Sequence, residues 1–408
     1  MPTICLSMIV KNETHIIKEC LDSVYDQIDY WVIVDTGSTD GTQELIKNYF
    51  AEKGIPGELH EKPWVSFGHN RTEALELCDG KAEYAFMIDA DDYLEGDLPK
   101  DQIIGHQGYA VLMGRGDFSW WRTQLFKTGL GWKYVGVLHE YPALSSGEQP
   151  KLERLQGKYR VVARTLGARN VNIDPVEKYK RDAELLEKAL IDEPGNVRYQ
   201  FYLAQSYFDS QQWEKAEEAY TKRVNMGGWP EEIYYSIYRI GMCRALQNKN
   251  WVEIQQAFLD AYNARPTRAE PLYQIARIYR LNGKPALGYA FARMAVEIPY
   301  PKDDILFIDN DIYRYGILDE VGSSAFYANK IEDGYNACKA LIDRNLAPEQ
   351  EKERIKKNLS EYERIIVQLK QQRLEQEAQR KIELKEMKAK METNPSQKTF
   401  KKKERVSR

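Results

Sequence analysis

The strongest constraint on this chain's fold is a repeat in its second half. Prolines at 194, 230, 266 and 299 recur at intervals of 36, 36 and 33 residues. Between them lie helix-pair patterns: Tyr202-Leu203-Ala204 with Tyr207, Trp213, Ala216 and Tyr220, then Tyr238 and Gly241 with Trp251 and Ala257. A third copy has Tyr273 and Ala276 with Tyr279, Pro285 and Ala295, and a degenerate fourth is expected from Leu306 to about Leu346. Small residues at a helix crossing let two helices approach closely, and stacked pairs share a core that none could bury alone. The helical pattern starts at Asp174-Pro175-Val176-Glu177, which offers a cap, a first-turn proline and a capping-box glutamate.

The first 110 residues follow another rule. Short apolar runs at Thr3–Ile9, Trp31–Val34, Glu58–Glu61 and Tyr84–Ile88 alternate with helical stretches near Thr14–Tyr25, Thr42–Glu52 and Asn70–Cys78. Such alternation predicts an α/β domain with a mainly parallel, Rossmann-like sheet, ahead of an all-α repeat domain. Tyr109–Met113 and Phe118–Phe126 read as a hairpin around Gly114-Arg115-Gly116-Asp117, so the Arg-Gly-Asp triplet is read as turn composition. Beyond Pro348 the Glu/Lys/Arg/Gln-rich sequence predicts a solvated single helix, then a basic tail read as disordered.

Composition narrows the function classes. The 408 residues are 43% apolar and 29% charged with a net charge of −4, a soluble globular balance without the basic excess of a nucleic-acid binder. No apolar stretch is long enough for a transmembrane segment, and Thr3–Val10 is too short for a signal-peptide core, so a cytoplasmic protein is expected. Five scattered cysteines without a CxxC pair predict buried thiols rather than disulfides or a zinc site.

Ligands of a parallel sheet bind at the carboxyl ends of its strands. Two constellations fall there. Asp89-Ala90-Asp91-Asp92 follows a buried strand; such like charges need a counter-charge, and their hard oxygens suit Mg2+ or Mn2+, although a solvated acidic loop has the same composition. Asp35 ends the second strand and opens Asp35-Thr36-Gly37-Ser38-Thr39-Asp40-Gly41-Thr42, a segment that can hold a base or ribose or form a tight turn and helix cap.

These segments carry a resemblance. Ser7-Met8-Ile9-Val10-Lys11-Asn12-Glu13, Val34 through Thr42, Asn70-Arg71-Thr72-Glu73-Ala74-Leu75 and Asp89-Ala90-Asp91-Asp92 have the order and spacing seen in family-two glycosyltransferases of the GT-A fold. The likeness covers about the first 145 residues, and the helical half resembles tetratricopeptide repeats. It implies a hexosyltransferase-type enzyme using a nucleotide-sugar donor, usually UDP-linked, with inversion expected. By the same likeness Val10, Lys11 and Asn12 line the nucleotide pocket, Asp35 contacts the base, and Arg71 lies near the base or diphosphate. Asp89 and Asp91 form a DXD motif that meets ribose and the metal-bound diphosphate. Thr72 departs from the pattern, where asparagine is more usual.

Transfer with inversion also needs a base for the acceptor's proton. Glu140 in Gly136-Val137-Leu138-His139-Glu140 is the candidate, with His139 either a further metal ligand or the base itself; a strand end without chemistry is the plain alternative. The expected division is a catalytic domain over 1–150, a connector over 151–173, helical repeats over 174–348 and a charged helix with basic tail over 349–408. The repeats are expected to present a peptide, protein or glycan acceptor, with self-association a further use. A subset of Tyr199, Tyr202, Tyr207, Tyr234, Tyr235 and Tyr238 is expected to face their groove. The rival reading is a non-catalytic repeat scaffold with a decayed transferase domain, against which the intact carboxylates argue. A sugar nucleotidyltransferase would need a glycine-rich loop where this chain has Ile9-Val10-Lys11-Asn12.

Overall fold

A computed structural model describes residues 1–116, 118–167 and 174–393. Asp117 of the Arg-Gly-Asp turn, the end of the connector and the basic tail lie outside the described residues. Contacts divide the chain into one unit over Met1–Met226 and another from Gly227 onward.

The first unit is built on β1 (Ile4–Val10), α1 (Ile17–Val24), β2 (Tyr30–Asp35), α2 (Thr42–Lys53), β3 (Gly57–Glu61), α3 (Phe67–Glu76) and β4 (Tyr84–Met87). There follow β5 (Tyr93–Glu95), β6 (Gly108–Arg115), β7 (Phe118–Lys127), β8 (Trp132–Val135), β9 (Tyr141–Leu144), β10 (Leu152–Arg154) and β11 (Arg160–Val162). The main sheet runs β3-β2-β1-β4-β7-β6-β11-β5, with β10 beside β6. Strands β1 to β4 pair in parallel; β7 pairs antiparallel with both β4 and β6. Strands β8 and β9 form a separate two-stranded ribbon.

The period-two rule assigns the two faces of this sheet. Leu6, Met8, Ile33 and Phe86 point into one apolar layer, where α1 supplies Ile17, Cys20, Leu21 and Val24 at helical spacing. Cys5, Val32, Val34 and Met87 point into the other, against Ala74 and Leu75 of α3. Covered on both faces, β1 is apolar along nearly its whole length, the mark of a central parallel strand. Asp40 accepts from the Thr42 amide and hydroxyl at 3.1 and 2.6 Å, so α2 starts where the polar cap was expected.

Helix α3 approaches the loop after β8 very closely. A Cβ on Gly68 would sit 2.5 Å from the Gly136 carbonyl oxygen, so only glycine allows the contact. Thr72 completes it: its hydroxyl donates to the Gly68 carbonyl at 2.7 Å and accepts from the Tyr134 amide at 2.9 Å. The departure from the usual asparagine thus ties helix to ribbon.

The same unit ends in α4 (Pro175–Asp192), α5 (Val197–Asp209) and α6 (Trp213–Asn225). Asp174 caps α4 by accepting from the Glu177 amide at 3.3 Å, as its sequence predicts. The second unit holds α7 (Pro230–Leu246), α8 (Trp251–Ala264), α9 (Glu270–Leu281), α10 (Pro285–Val296), α11 (Ile317–Ser324), α12 (Ile331–Asp343) and α13 (Glu349–Thr393). Its helices pack as consecutive pairs; a Cβ on Gly241 of α7 would lie 2.7 Å from the Phe258 ring of α8, the close crossing that the repeat pattern requires. The subset of tyrosines expected to face a groove narrows to one candidate. Tyr199, Tyr207, Tyr234, Tyr235 and Tyr238 are buried, and only Tyr202 of the six is half-exposed. The hydroxyls of Tyr207, Tyr234 and Tyr238 find partners on neighbouring helices, Glu187, Glu270 and Gln274 in turn. All five cysteines are buried and none forms a disulfide. No helix among the described residues is long and apolar enough to cross a membrane.

Candidate active site

The loops after β1 and β2 are laced into one surface. Asn12, with φ of +58°, donates its backbone amide to the Ser38 hydroxyl at 2.8 Å, and its side-chain oxygen accepts from the Thr39 amide at 2.8 Å. The Glu13 amide donates to the Thr42 hydroxyl, and Thr14 donates to Asp40 through both amide and hydroxyl. Burial would raise the Asp40 carboxyl, but the bonds from Thr42 and Thr14 outweigh it and hold it down at about 2. Asn12 therefore serves to join two loops, a role its sequence position alone did not disclose.

Asp35 lies fully buried beneath that surface. One carboxylate oxygen accepts from the Gly37 and Ser38 amides and the Gln43 side chain, each at 2.9 Å. Burial opposes the charge, but the Ser38 hydroxyl and amide, the Gln43 side chain and the Gly37 amide outweigh it and keep the carboxyl below its ordinary range. The other oxygen, Oδ2, is buried without a hydrogen-bond partner. A buried ionised oxygen is costly to leave unpaired, so this atom suits a donor brought by a ligand.

Beside Asp35 a cavity of about 600 Å³ opens, lined by residues 9–13, Thr36, residues 64–67, Val137 and Leu138, with Arg181 and Leu185 from α4. Val10, Lys11 and Asn12 thus stand together at one pocket. Its wall is largely apolar, and Trp64 meets Phe67 edge to face at 4.7 Å between centroids. Neither aromatic was singled out by sequence.

A second cluster forms around Arg71 of α3. The guanidinium is almost fully buried, with one terminal nitrogen on Asp89 and the other on Glu140, while the Phe67 and Tyr134 rings lie 5.5 and 5.8 Å from it. Burial alone would lower the Arg71 pKa, but the two carboxylates raise it, so the cation is fixed. Asp89 also faces Arg122 at 3.8 Å; burial raises its pKa, and the two arginines reverse that. Arg71 keeps a buried Nε without a partner, as does the Tyr134 hydroxyl beside it. Residues far apart in sequence are thus gathered at the carboxyl end of β4.

Asp91 takes a different setting. Its Oδ2 accepts from the Leu166 and Gly167 amides at 2.9 and 2.8 Å. Asp92, buried, accepts from the Arg164 amide at 2.9 Å; its carboxyl is pushed up to about 7, first by burial and then by repulsion from Asp89. Arg164 also donates to the Asp91 carbonyl at 2.6 Å and to Glu19 at 2.7 Å. Its position in the irregular connector gave no local signal for this. The His139 ring stacks on Tyr202 at 3.8 Å, and the φ of +51° is a left-handed conformation that costs a non-glycine residue about 1–3 kcal/mol. Among the described residues no three His, Cys, Asp or Glu side chains group as a metal centre. Mg2+ and Mn2+ need only one or two carboxylates when a substrate's phosphates and water complete the shell; Asp89 and Asp91 offer hard oxygens of that kind, each also held by donors of the chain, Arg71 and Arg122 on Asp89 and two amides on Asp91.

Residues 5–108 match the model of the family described as glycosyl transferase family 2. The N-terminal domain belongs to that family. Among curated relatives, the SPbeta prophage-derived glycosyltransferase SunS of Bacillus subtilis is 37% identical over 90 residues, covering 22% of this chain and 20% of its own. The lipopolysaccharide core biosynthesis glycosyltransferase LpsC of Rhizobium meliloti is 35% identical over 107 residues, 24% of this chain and 38% of that one. A TPR repeat-containing protein of Synechococcus elongatus is 33% identical over 95 residues, 23% of this chain and 22% of its own. The chain therefore spans well under half the length of these relatives. Among solved structures, S. aureus TarS 1-349 in complex with UDP-GlcNAc shares 14% identity at a TM-score of 0.35, covering 65% of this chain and 92% of that one. Scores at that level leave the functional argument to the residues of the family 2 domain itself.

Proposed function

We propose that the protein transfers a sugar, as a hexosyltransferase, from a nucleotide-sugar donor to an acceptor with inversion at the anomeric carbon. The observation that carries this reading is the cluster of Arg71, Asp89 and Glu140, drawn from three separate segments to the carboxyl ends of the sheet. The cavity beside it takes the nucleotide, lined by Val10, Lys11 and Asn12. Asp35, with its unpartnered Oδ2, accepts a hydrogen bond from the base, which fits the imino N–H of uracil and so a UDP-linked donor. Asp91, with Asp89, holds Mn2+ or Mg2+ as a DXD motif. The ion supplies charge neutralisation for the departing diphosphate.

Glu140 takes the acceptor's proton in this account, and Arg71 orients its carboxylate. His139 is the second candidate for base or ligand; its stack on Tyr202 favours Glu140 for either role. The helical repeats over 174–348 present the acceptor, a peptide, protein or glycan, and offer a surface for self-association. The division into a catalytic part over 1–150, a connector over 151–173 and a charged tail over 349–408, and a cytoplasmic location, belong to the same proposal.

A donor screen tests it. The protein is incubated with Mn2+ and a panel of UDP-, GDP- and dTDP-linked hexoses, and release of nucleoside diphosphate is followed. Release from one UDP-sugar above the rest is expected. No release from any donor, together with no nucleotide binding, would favour the scaffold reading instead.

A further inference from the structure

Glu140 is held from two directions, and only one of them lies in the family 2 domain. Its carboxylate is held by Arg71. Its backbone is held from the first helices of the repeat region. Arg198 of α5 donates to the His139 carbonyl oxygen through Nε at 3.2 Å and a terminal nitrogen at 2.8 Å. That carbonyl lies in the rigid peptide plane that carries the Glu140 amide, so a fork on the oxygen fixes the plane from which Glu140 projects. One helical turn further along the same face, Tyr202 stacks on the His139 ring at 3.8 Å with 12° between planes. The Arg198 guanidinium packs above Tyr202 at 5.0 Å and above Tyr141, just past the loop, at 5.1 Å. This clamp sits on the residue whose φ of +51° is left-handed, a conformation that persists only where its surroundings over-determine it.

We infer that Arg198 and Tyr202 are positioning residues for the reaction, setting the His139–Glu140 loop in its catalytic geometry. The opening helices of the repeat region thus complete the active site. The inference rests on the reading of Glu140 as base. It assigns the first repeat helices a role apart from acceptor presentation, and it explains why residues up to Met226 form one unit with the sheet.

The test is a mutant cycle on the full chain, using the nucleotide sugar with the fastest diphosphate release in the donor screen. Arg198→Ala and Tyr202→Ala should each lower kcat by about 10- to 10²-fold, the scale of a reacting group displaced by about an ångström. Affinity for the matching nucleoside diphosphate should stay within about twofold, because neither residue lines the cavity. Tyr202→Phe keeps the stacked ring and should restore most of the rate. In a Glu140→Gln background, Tyr202→Ala should add less than about twofold, since the group being positioned is already disabled. Wild-type kcat in both alanine variants overturns the inference, as does a full multiplicative loss on top of Glu140→Gln. A merely destabilised fold would instead lower nucleotide affinity and survive in the double mutant. If Glu140→Gln itself turns over normally, the base assignment falls. Repeating the cycle with His139→Ala then decides whether α5 positions that residue, full additivity there also overturning the inference.

Discussion

Two buried arginines, one in each unit, differ in how completely their polar atoms are satisfied. Arg268 in the second unit is 1% exposed at its side chain and has every nitrogen engaged, with Glu270, Asp304 and the carbonyls of Leu306 and Phe307. Glu270 in turn accepts from the Tyr313 hydroxyl at 2.7 Å, and Asp304 pairs with Arg265. Nothing in that network waits for a ligand. Arg71 is nearly as buried, yet its Nε and the neighbouring Tyr134 hydroxyl have no partner, and Asp89 remains 29% exposed at its side chain. Saturated hydrogen bonding fixes a structure; unsatisfied polar atoms leave room for a further partner.

The largest effect expected from that contrast is on turnover. Glu140→Gln keeps shape and hydrogen bonding and removes the proton acceptor, so diphosphate release should fall by about 10²–10⁴-fold while nucleotide affinity persists. Unchanged turnover would place the cluster with the structural one. The mirror experiment is Arg268→Met, which strands Glu270 in the interior. It should cost about 3–5 kcal/mol in denaturant unfolding and leave nucleotide affinity intact at temperatures where the protein is folded. Arg71→Met likewise strands a buried carboxylate, Glu140, so it should cost a similar amount of stability; the two variants should part on nucleotide affinity, which should fall only in Arg71→Met. An equal fall in both would erase the distinction.

A smaller effect belongs to the base pocket. Asp35→Ala should weaken nucleotide binding by about 1–3 kcal/mol in calorimetric titration, the worth of a hydrogen bond to a buried charge. The smallest concerns Asp40, whose folded value of about 2 lies below its ordinary 3.8. A depressed carboxyl contributes stability in full above its unfolded pKa and loses it as pH falls through the folded one. The Asp40→Asn variant should therefore be slightly less stable than wild type above pH 4, with the gap closing towards pH 2. Exposure and screening keep that gap below about 1 kcal/mol.

What could be read in the sequence follows from how local each signal is. Strands β1, β2 and β4 announce themselves as apolar runs, and Asp35 and Asp89 are placed simply by ending β2 and following β4. The Asp174 cap and the Gly241 crossing depend on neighbours within one turn or one repeat, so they too were visible. The pairing of Arg71 with Glu140 spans 69 residues and depends on how α3 meets the ribbon through Gly68 and Thr72. Arg122, Arg164, Arg198 and Tyr202 carry no motif, and only the folded chain brings them to the site. Most of the six tyrosines are buried for an energetic reason: a ring's apolar body gains more inside a helix pair when its hydroxyl finds a partner there, as Tyr234 does with Glu270 at 3.3 Å.

If the carboxylates after β4 hold a metal-bound donor, diphosphate release from the preferred donor should depend on the metal. Release is measured for wild type and Asp91→Asn with Mn2+ and in excess chelator. Wild type should release diphosphate only with the metal, and Asp91→Asn should lose nearly all release with little change in melting temperature. Full release in chelator, or from Asp91→Asn, would remove these carboxylates from the donor site.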